Sequence, residues 1–327
     1  MMADGLVDGA ALEKWLGGGA IDVERISSGA SNEMFEVRAG SDIWVLRWPP
    51  EGRADARYIA REFRVLTALD GTDVPHPRPV RLCEDDSVIG VPFYLMERID
   101  GFTPRDPLPD GFDRPAAAFA LVDGIAALAR VDWRARGLEG FGKPEGFLER
   151  QVSRWLGQLS TYQARDIPGI DEVAAWLEAN VPAMSEPGII HGDYQFINVM
   201  MRAPATLAAI VDWEQSTIGD PLLDLGWLLA GWSEPGEEGP LRFGSRYLTD
   251  REGFPTRAKL AERYARVTGR DLTALDYYVV LALFKLACVL EGSYQRFVTG
   301  RSTNPYHEKM GPLVIDAIAQ ARATMVT

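Results

Sequence analysis

The sequence predicts an α+β chain in which an antiparallel strand part comes first and a larger, mainly helical part follows. Three observations carry this. Residues 21 to 48 fall into strand-like runs, the apolar spacing turns helical from Pro107 onward, and a short apolar hairpin with polar ends interrupts the helical part around residues 188 to 212. The chain has 327 residues, of which 46% are hydrophobic and 25% charged, enough for one large domain or two lobes with a sizeable core and too apolar for disorder. Its net charge of -13 argues against a nucleic-acid partner, because phosphate backbones need clustered Lys and Arg.

Taken in order, the first segment carries Asp4, Asp8 and Glu13 where a secretory leader would carry positive charge, so a cytoplasmic protein is expected. Met34 to Arg38 and Ile43 to Trp48 read as two strands turned by Ala39, Gly40, Ser41 and Asp42. Just ahead lie Ser28, Gly29, Ser31 and Asn32, small enough for backbone N–H groups to approach a phosphate closely; a plain turn would use the same residues. After Pro49 and Pro50, Ile59, Phe63, Leu66 and Leu69 mark an amphipathic helix over 57 to 69. Pro75 to Val80 reads as a proline-rich connector, and VPFYLMERIDG as a buried strand ending in a glycine-terminated link.

Helical spacing then covers 115 to 131, 147 to 163 and 171 to 180, and Tyr277 to Leu290 reads as a core helix, too short and too charged at Lys285 to span a bilayer. Asp220 followed by Pro221 has the form of an N-cap with Pro at the first helical position. Cys83 and Cys288 lack zinc or disulfide spacing and read as buried thiols. The acidic stretch with Glu234, Glu237 and Glu238 could face a cationic acceptor, but reads better as a solvated loop.

The chemistry concentrates in GIIHGDYQFINVMM and AAIVDWE. Gly188 to Ile190 feeds His191; Asp193 and Asn198 have four residues between them; Val199 to Met201 and Leu207 to Val211 form two apolar runs around a turn at Arg202 to Thr206, which delivers Asp212 beside Asn198. Phosphoryl transfer needs one carboxylate to orient an attacking hydroxyl and oxygen ligands to hold Mg²⁺ against the nucleotide's phosphates. Asp193 fits the first role, Asn198 and Asp212 the second. His191 reads as a hydrogen-bonded prop rather than a base, because Asp193 already serves the hydroxyl. No G-x-x-x-x-G-K-[ST] loop, G-x-S-x-G elbow, H-E-x-x-H helix or strand-linked G-x-G-x-x-G occurs.

HGDYQFIN resembles the H-G-D-x-x-x-x-N loop of the aminoglycoside phosphotransferase family, and VLRWPP, VDWRARGLEGFG and LERQVSRW resemble the subgroup also found fused to acyl-CoA dehydrogenase-like domains. Gly192, where protein kinases carry Arg, favours the small-molecule branch. The resemblance implies a bilobal protein-kinase-like fold, with a nucleotide-binding lobe over 1 to 99 and a catalytic, acceptor-binding lobe over 100 to 327. It implies ATP or GTP as co-substrate with Mg²⁺, and a small-molecule hydroxyl as acceptor, with no nucleic acid, membrane or obligate protein partner. On the same ground Ser31 and Arg47 would meet the nucleotide's phosphates, Glu62 would position Arg47, and Met96, Glu97 and Ile99 would receive the base. Asp220 and Asp224 would brace the catalytic loop, although either reads equally as a cap. The relatives' usual L-H-x-V-D run stands here as Leu128-Ala129-Arg130-Val131-Asp132, without its His. A nucleotide-binding pseudokinase and a metal-dependent phosphohydrolase are the alternatives.

Overall fold

The computed structural model describes residues 2–3, 6–28, 33–49, 55–184, 186–237 and 246–325. Strands β1 (Ile21–Ser28), β2 (Glu33–Ala39), β3 (Asp42–Trp48), β4 (Pro79–Cys83) and β5 (Phe93–Glu97) form one antiparallel sheet in the order β1-β2-β3-β5-β4. The β2–β3 hairpin closes over Gly40 and Ser41, with Ala39 opposite Asp42 and Gly40 at φ 61, a left-handed conformation that glycine adopts without steric cost. Alternation along the strands divides the two faces. Phe35, Val37, Leu46, Phe93 and Leu95 pack with Leu12 of α1 (Gly9–Leu16) in a small core, while Val45, Tyr94 and Met96 join the larger core through α2 (Ala56–Leu69).

The stretch read as a connector at Pro75 to Val80 instead leads into strand β4. Pro79 is tolerated there because it opens an edge strand, where a missing N–H costs no ladder bond on the outer side. Sequence spacing also left α1 and the C-terminal helices α7 (Arg257–Thr268) and α9 (Pro305–Thr324) unread.

The helical part contains α3 (Arg114–Ala129), α4 (Gln151–Leu159) and α5 (Ile170–Ala179), then short strands β6 (Gly188–Ile190), β7 (Val199–Arg202), β8 (Thr206–Ile210) and β9 (Thr217–Gly219), and then α6 (Leu222–Ala230), α7, α8 (Leu275–Val298) and α9. β7 pairs with β8, and β6 with β9, both antiparallel. α8 runs two turns past the expected Leu290 because α9 packs along its later half, and because Arg165 binds the fully buried Glu291 there, Nη2 to Oε2 2.7 Å. Among the described residues no helix is long and apolar enough to cross a membrane. Cys83 and Cys288 are both free and buried.

The acidic loop is engaged rather than solvated: Glu237 pairs with Arg257, Nη2 to Oε2 2.7 Å, and Glu234 accepts from the Arg257 backbone N–H at 2.6 Å. Glu238 lies outside the described residues.

α6 is pressed onto α8 at Gly226. A Cβ there would lie 2.7 Å from the backbone of Tyr278, a contact that no side-chain rotation relieves. Gly226→Ala is therefore expected to cost about 1–3 kcal/mol through forced separation of the two helices. The urea midpoint should fall accordingly, and an unshifted midpoint would show that α6 can move freely.

Candidate active site

The β6 strand carries the chain out of the core to His191, and α6 returns from the opposite side to hold the loop that follows. Asp224, in the first turn of α6, accepts from the His191 N–H at 2.7 Å and the Gly192 N–H at 2.8 Å. Gly192 sits at φ 86, and a Cβ on it would lie 2.8 Å from the Gln215 carbonyl oxygen, so the position admits glycine for both reasons. His191 is fully buried. Its Nε2 donates to the Val211 carbonyl at 2.9 Å and its Nδ1 accepts from the Asp193 N–H at 3.3 Å, which fixes a neutral ring whose two nitrogens are both engaged. Burial, the largest influence, holds its pKa below the usual range. Asp220 stands apart: its carboxylate accepts from the Leu222 N–H at 3.0 Å and the Tyr278 hydroxyl at 2.8 Å, capping α6 from one residue further out than the expected pattern.

The Asp193 carboxylate is gripped from three sides. Oδ1 accepts from Gln195 Nε2 at 2.8 Å and Trp227 Nε1 at 2.9 Å, and Oδ2 accepts from Asn198 Nδ2 at 2.8 Å. Asn198 is tied in turn to Asp212 through the backbone, its carbonyl accepting from the Val211 N–H at 3.0 Å. Asp212 takes φ 68 and ψ 63, the single left-handed non-glycine among the described residues. Strain of that kind, on the order of 1–3 kcal/mol, is characteristic of residues whose side-chain direction matters.

Asn198 and Asp212 line one cavity of about 540 Å³ together with Arg47, Met96, Glu97 and Ile99. Met34, Arg47 and Tyr94 are cross-strand partners on β2, β3 and β5, which brings Arg47 to the cavity's roof. Arg47 binds Glu62 of α2 through both ends of its guanidinium, Nε to Oε2 3.0 Å and Nη2 to Oε1 2.8 Å, and Tyr94 donates to Glu62 Oε2 at 3.0 Å. Arg47 and Glu62 are 3% and 2% exposed. Burial disfavours the guanidinium's charge, but Glu62 and the neighbouring Asp212, 4.0 Å away, more than offset it and hold the Arg47 pKa above its ordinary value. Ser31 lies outside the described residues.

Oxygen donors suited to a hard cation gather here. The carboxylates of Glu62, Asp212 and Glu214 offer atoms within 4.8 Å of one another, and the carboxamide of Asn198 borders the same cavity as Asp212. Glu62 is spoken for by Arg47 and Tyr94, which leaves Asp212 and Asn198 as the ligands that fit, with Glu214, an acceptor for the Tyr58 hydroxyl, nearby.

Three neighbours of Asp193 escaped sequence reading. Gln195 lies within the motif's unspecified positions. Trp227 is one helical turn beyond Asp224 and so shares its face. Lys285, a lone charge in the apolar run of α8, donates its Nζ to the Gly192 carbonyl and sits 4.3 Å from the Trp227 ring centroid. A buried lysine in such a run was the available signal.

A family model described as the phosphotransferase enzyme family matches residues 22–263. Acyl-CoA dehydrogenase family member 11 of Gallus gallus is 34% identical over 294 residues, covering 87% of this chain and 38% of that protein. The chain thus spans about a third of the length of the curated relatives it matches. A solved structure of a candidate aminoglycoside phosphotransferase from Ralstonia eutropha JMP134 superposes with a TM-score of 0.83 at 32% identity, covering 97% of this chain and 99% of that one. A thermostable mutant of aminoglycoside phosphotransferase APH(4)-Ia, solved with AMP-PNP and hygromycin B, superposes with a TM-score of 0.64 over 97% of both chains, a likeness of fold at 16% identity. The architecture is the bilobal, kinase-like α+β fold, and with a matching model over most of its length the chain belongs to the phosphotransferase enzyme family.

Proposed function

We propose that the protein transfers the terminal phosphate of ATP or GTP to a hydroxyl of a small molecule. The observation that carries this reading is that the Asp193 carboxylate is bound by one lining residue from each of two cavities. On one side its carboxylate is bound by Asn198, which lines the cavity shared with Arg47 and Asp212; on the other it is bound by Trp227, which lines a second cavity of about 550 Å³. A carboxylate so placed can orient a hydroxyl entering from the second cavity toward a phosphate held in the first, and accept its proton as the oxygen attacks.

In this reading residues 1–99 form the nucleotide lobe and residues 100–327 the catalytic and acceptor lobe. Arg47, aligned by Glu62, meets the nucleotide's phosphates, and the base lies against Met96 with the backbone of Glu97 and Ile99 beside it. Asn198 and Asp212 hold Mg²⁺, which when bound neutralises charge on the phosphates. His191 and Asp224 keep the loop in shape, and Asp220 caps the helix that bears Asp224. Tyr94 shares Glu62 with Arg47, so the side chain that would meet phosphate is fixed in advance.

Labelled ATP and GTP, Mg²⁺ and a panel of small alcohols test this. Label should move to an alcohol in a Mg²⁺-dependent manner, and Asp212→Ala should weaken Mg²⁺-dependent nucleotide binding measured by calorimetry. Nucleotide binding without transfer would instead identify a pseudokinase, and release of phosphate from phosphorylated compounds without nucleotide would identify a phosphohydrolase.

A further inference from the structure

The cavity on the acceptor side of Asp193 is basic in a protein that is acidic overall. Arg61 reaches it from α2, Arg154 from α4 and Lys285 from α8, whereas Glu214 is the sole carboxylate among its described lining residues, and Glu214 already accepts from the Tyr58 hydroxyl. Arg61 donates to the Ser216 carbonyl at 3.0 Å and lies 3.8 Å from the Phe141 ring centroid; Arg154 sits over Trp155 at 5.3 Å. Neither guanidinium forms an ion pair with a carboxylate among the described residues, although the chain carries 47 acidic side chains against 34 basic ones. Arg61 is burdened first by desolvation and then by the like charges of Arg64 and Arg154, all of which lower its pKa. Lys285 is pushed down to about 8 by burial, with the charges of Asp193 and Asp224 opposing the change.

Two arginines that repel each other across a cavity, each with neutral partners only, are stabilised by an anion between them. Guanidinium groups bind carboxylate and phosphate oxygens through paired N–H bonds, and Arg61, which is partly desolvated, gains more from such a ligand than an exposed cation would. The two tryptophans, Trp155 and Trp227, give the same cavity apolar walls. A polycation entering here would meet like charge at both arginines and find one carboxylate already engaged.

We propose, building on the phosphotransferase reading, that the acceptor carries an anionic group, a carboxylate or a phosphate, seated between Arg61 and Arg154 while its hydroxyl points at Asp193, and that polycationic aminoglycosides are excluded. The side chain of Arg154 is exposed at the rim and makes no hydrogen bond among the described residues, so replacing it leaves the fold and the nucleotide cavity untouched.

The experiment compares hydroxycarboxylates, phosphorylated alcohols, neutral polyols, and kanamycin with hygromycin B as acceptors for labelled nucleotide and Mg²⁺, in wild type and Arg154→Gln. Anionic alcohols should be preferred, the two anionic arms separating carboxylate from phosphate. In Arg154→Gln their KM should rise about tenfold or more, in keeping with loss of a charge-assisted bond, while kcat and nucleotide affinity hold. In parallel, calorimetry at saturating Mg²⁺ and nucleotide should detect inorganic sulfate binding to wild type and its loss in Arg154→Glu. Equal or better transfer to neutral or cationic acceptors, or an unchanged KM for anionic acceptors in Arg154→Gln, overturns the proposal and leaves the phosphotransferase reading standing. Transfer to no acceptor at all, with nucleotide bound, overturns the phosphotransferase reading and the proposal with it.

Discussion

Asp193→Asn should lower turnover by about 10²- to 10⁴-fold, the usual worth of a positioned general base, while leaving Mg²⁺-nucleotide affinity close to that of wild type. The pH profile gives the same residue a second signature. Burial raises the Asp193 pKa to about 6; Lys285 opposes this and Asp212 adds to it. In the free enzyme the carboxylate is therefore ionised above pH 6 and protonated below, so kcat/KM should fall on the acid side with an apparent pKa near 6, and the residual activity of Asp193→Asn should lack that limb. The stability sign runs the other way. A carboxyl whose folded pKa is raised binds its proton more tightly in the native state, so its stabilising contribution is complete below the unfolded value near 4 and is lost as pH rises through 6. At pH 8 Asp193→Asn removes a group that opposes folding, and its melting temperature should hold. A turnover loss accompanied by a collapsed melting temperature would mark a folding defect, and full activity in a folded variant would remove Asp193 from the chemistry.

Glu62→Ala is expected to be the most destabilising of the substitutions considered, at about 3–5 kcal/mol, because it strands the Arg47 guanidinium in a nearly dry site. That loss is comparable to the whole stability of a marginal domain, typically about 5–15 kcal/mol, so urea denaturation should show a large shift or outright failure to fold. The paired replacement of Arg47→Met with Glu62→Leu separates stability from function. Apolar residues of similar volume often match or exceed a buried ion pair in stability. The double variant should fold while losing nucleotide affinity. A double variant that binds nucleotide normally would show that Arg47 is a structural element alone.

Much of this site was legible beforehand, for a reason visible in its construction. Asp193, Asn198 and Asp212 are supplied by one loop and one hairpin, so local spacing and a turn at Pro204 suffice to bring them together. The Arg47–Glu62 pair rested on the resemblance, since nothing local to a strand end or a helix face says that two charges will meet in the interior. Strand β5 was read from its continuous apolar run, whereas β4 was hidden because prolines at its start looked like a break, and only an edge position in the finished sheet makes them acceptable. The acidic loop was read as solvated because its partner, Arg257, lies about twenty residues away on another helix.

By itself, then, the sequence determined the order of strands before helices, the hairpin that joins Asn198 to Asp212, and the family, because each of these depends on short-range periodicity or on residues within a few positions of one another. What only the tertiary structure decided is the character of the space around that hairpin. Arg61, Arg154, Trp227 and Lys285 come from four separate helices and meet because α2, α4, α6 and α8 pack around one loop. The sign of charge in a cavity is a sum over side chains that share a volume and not a stretch of chain, and a net charge of -13 gave no hint that this volume would be basic.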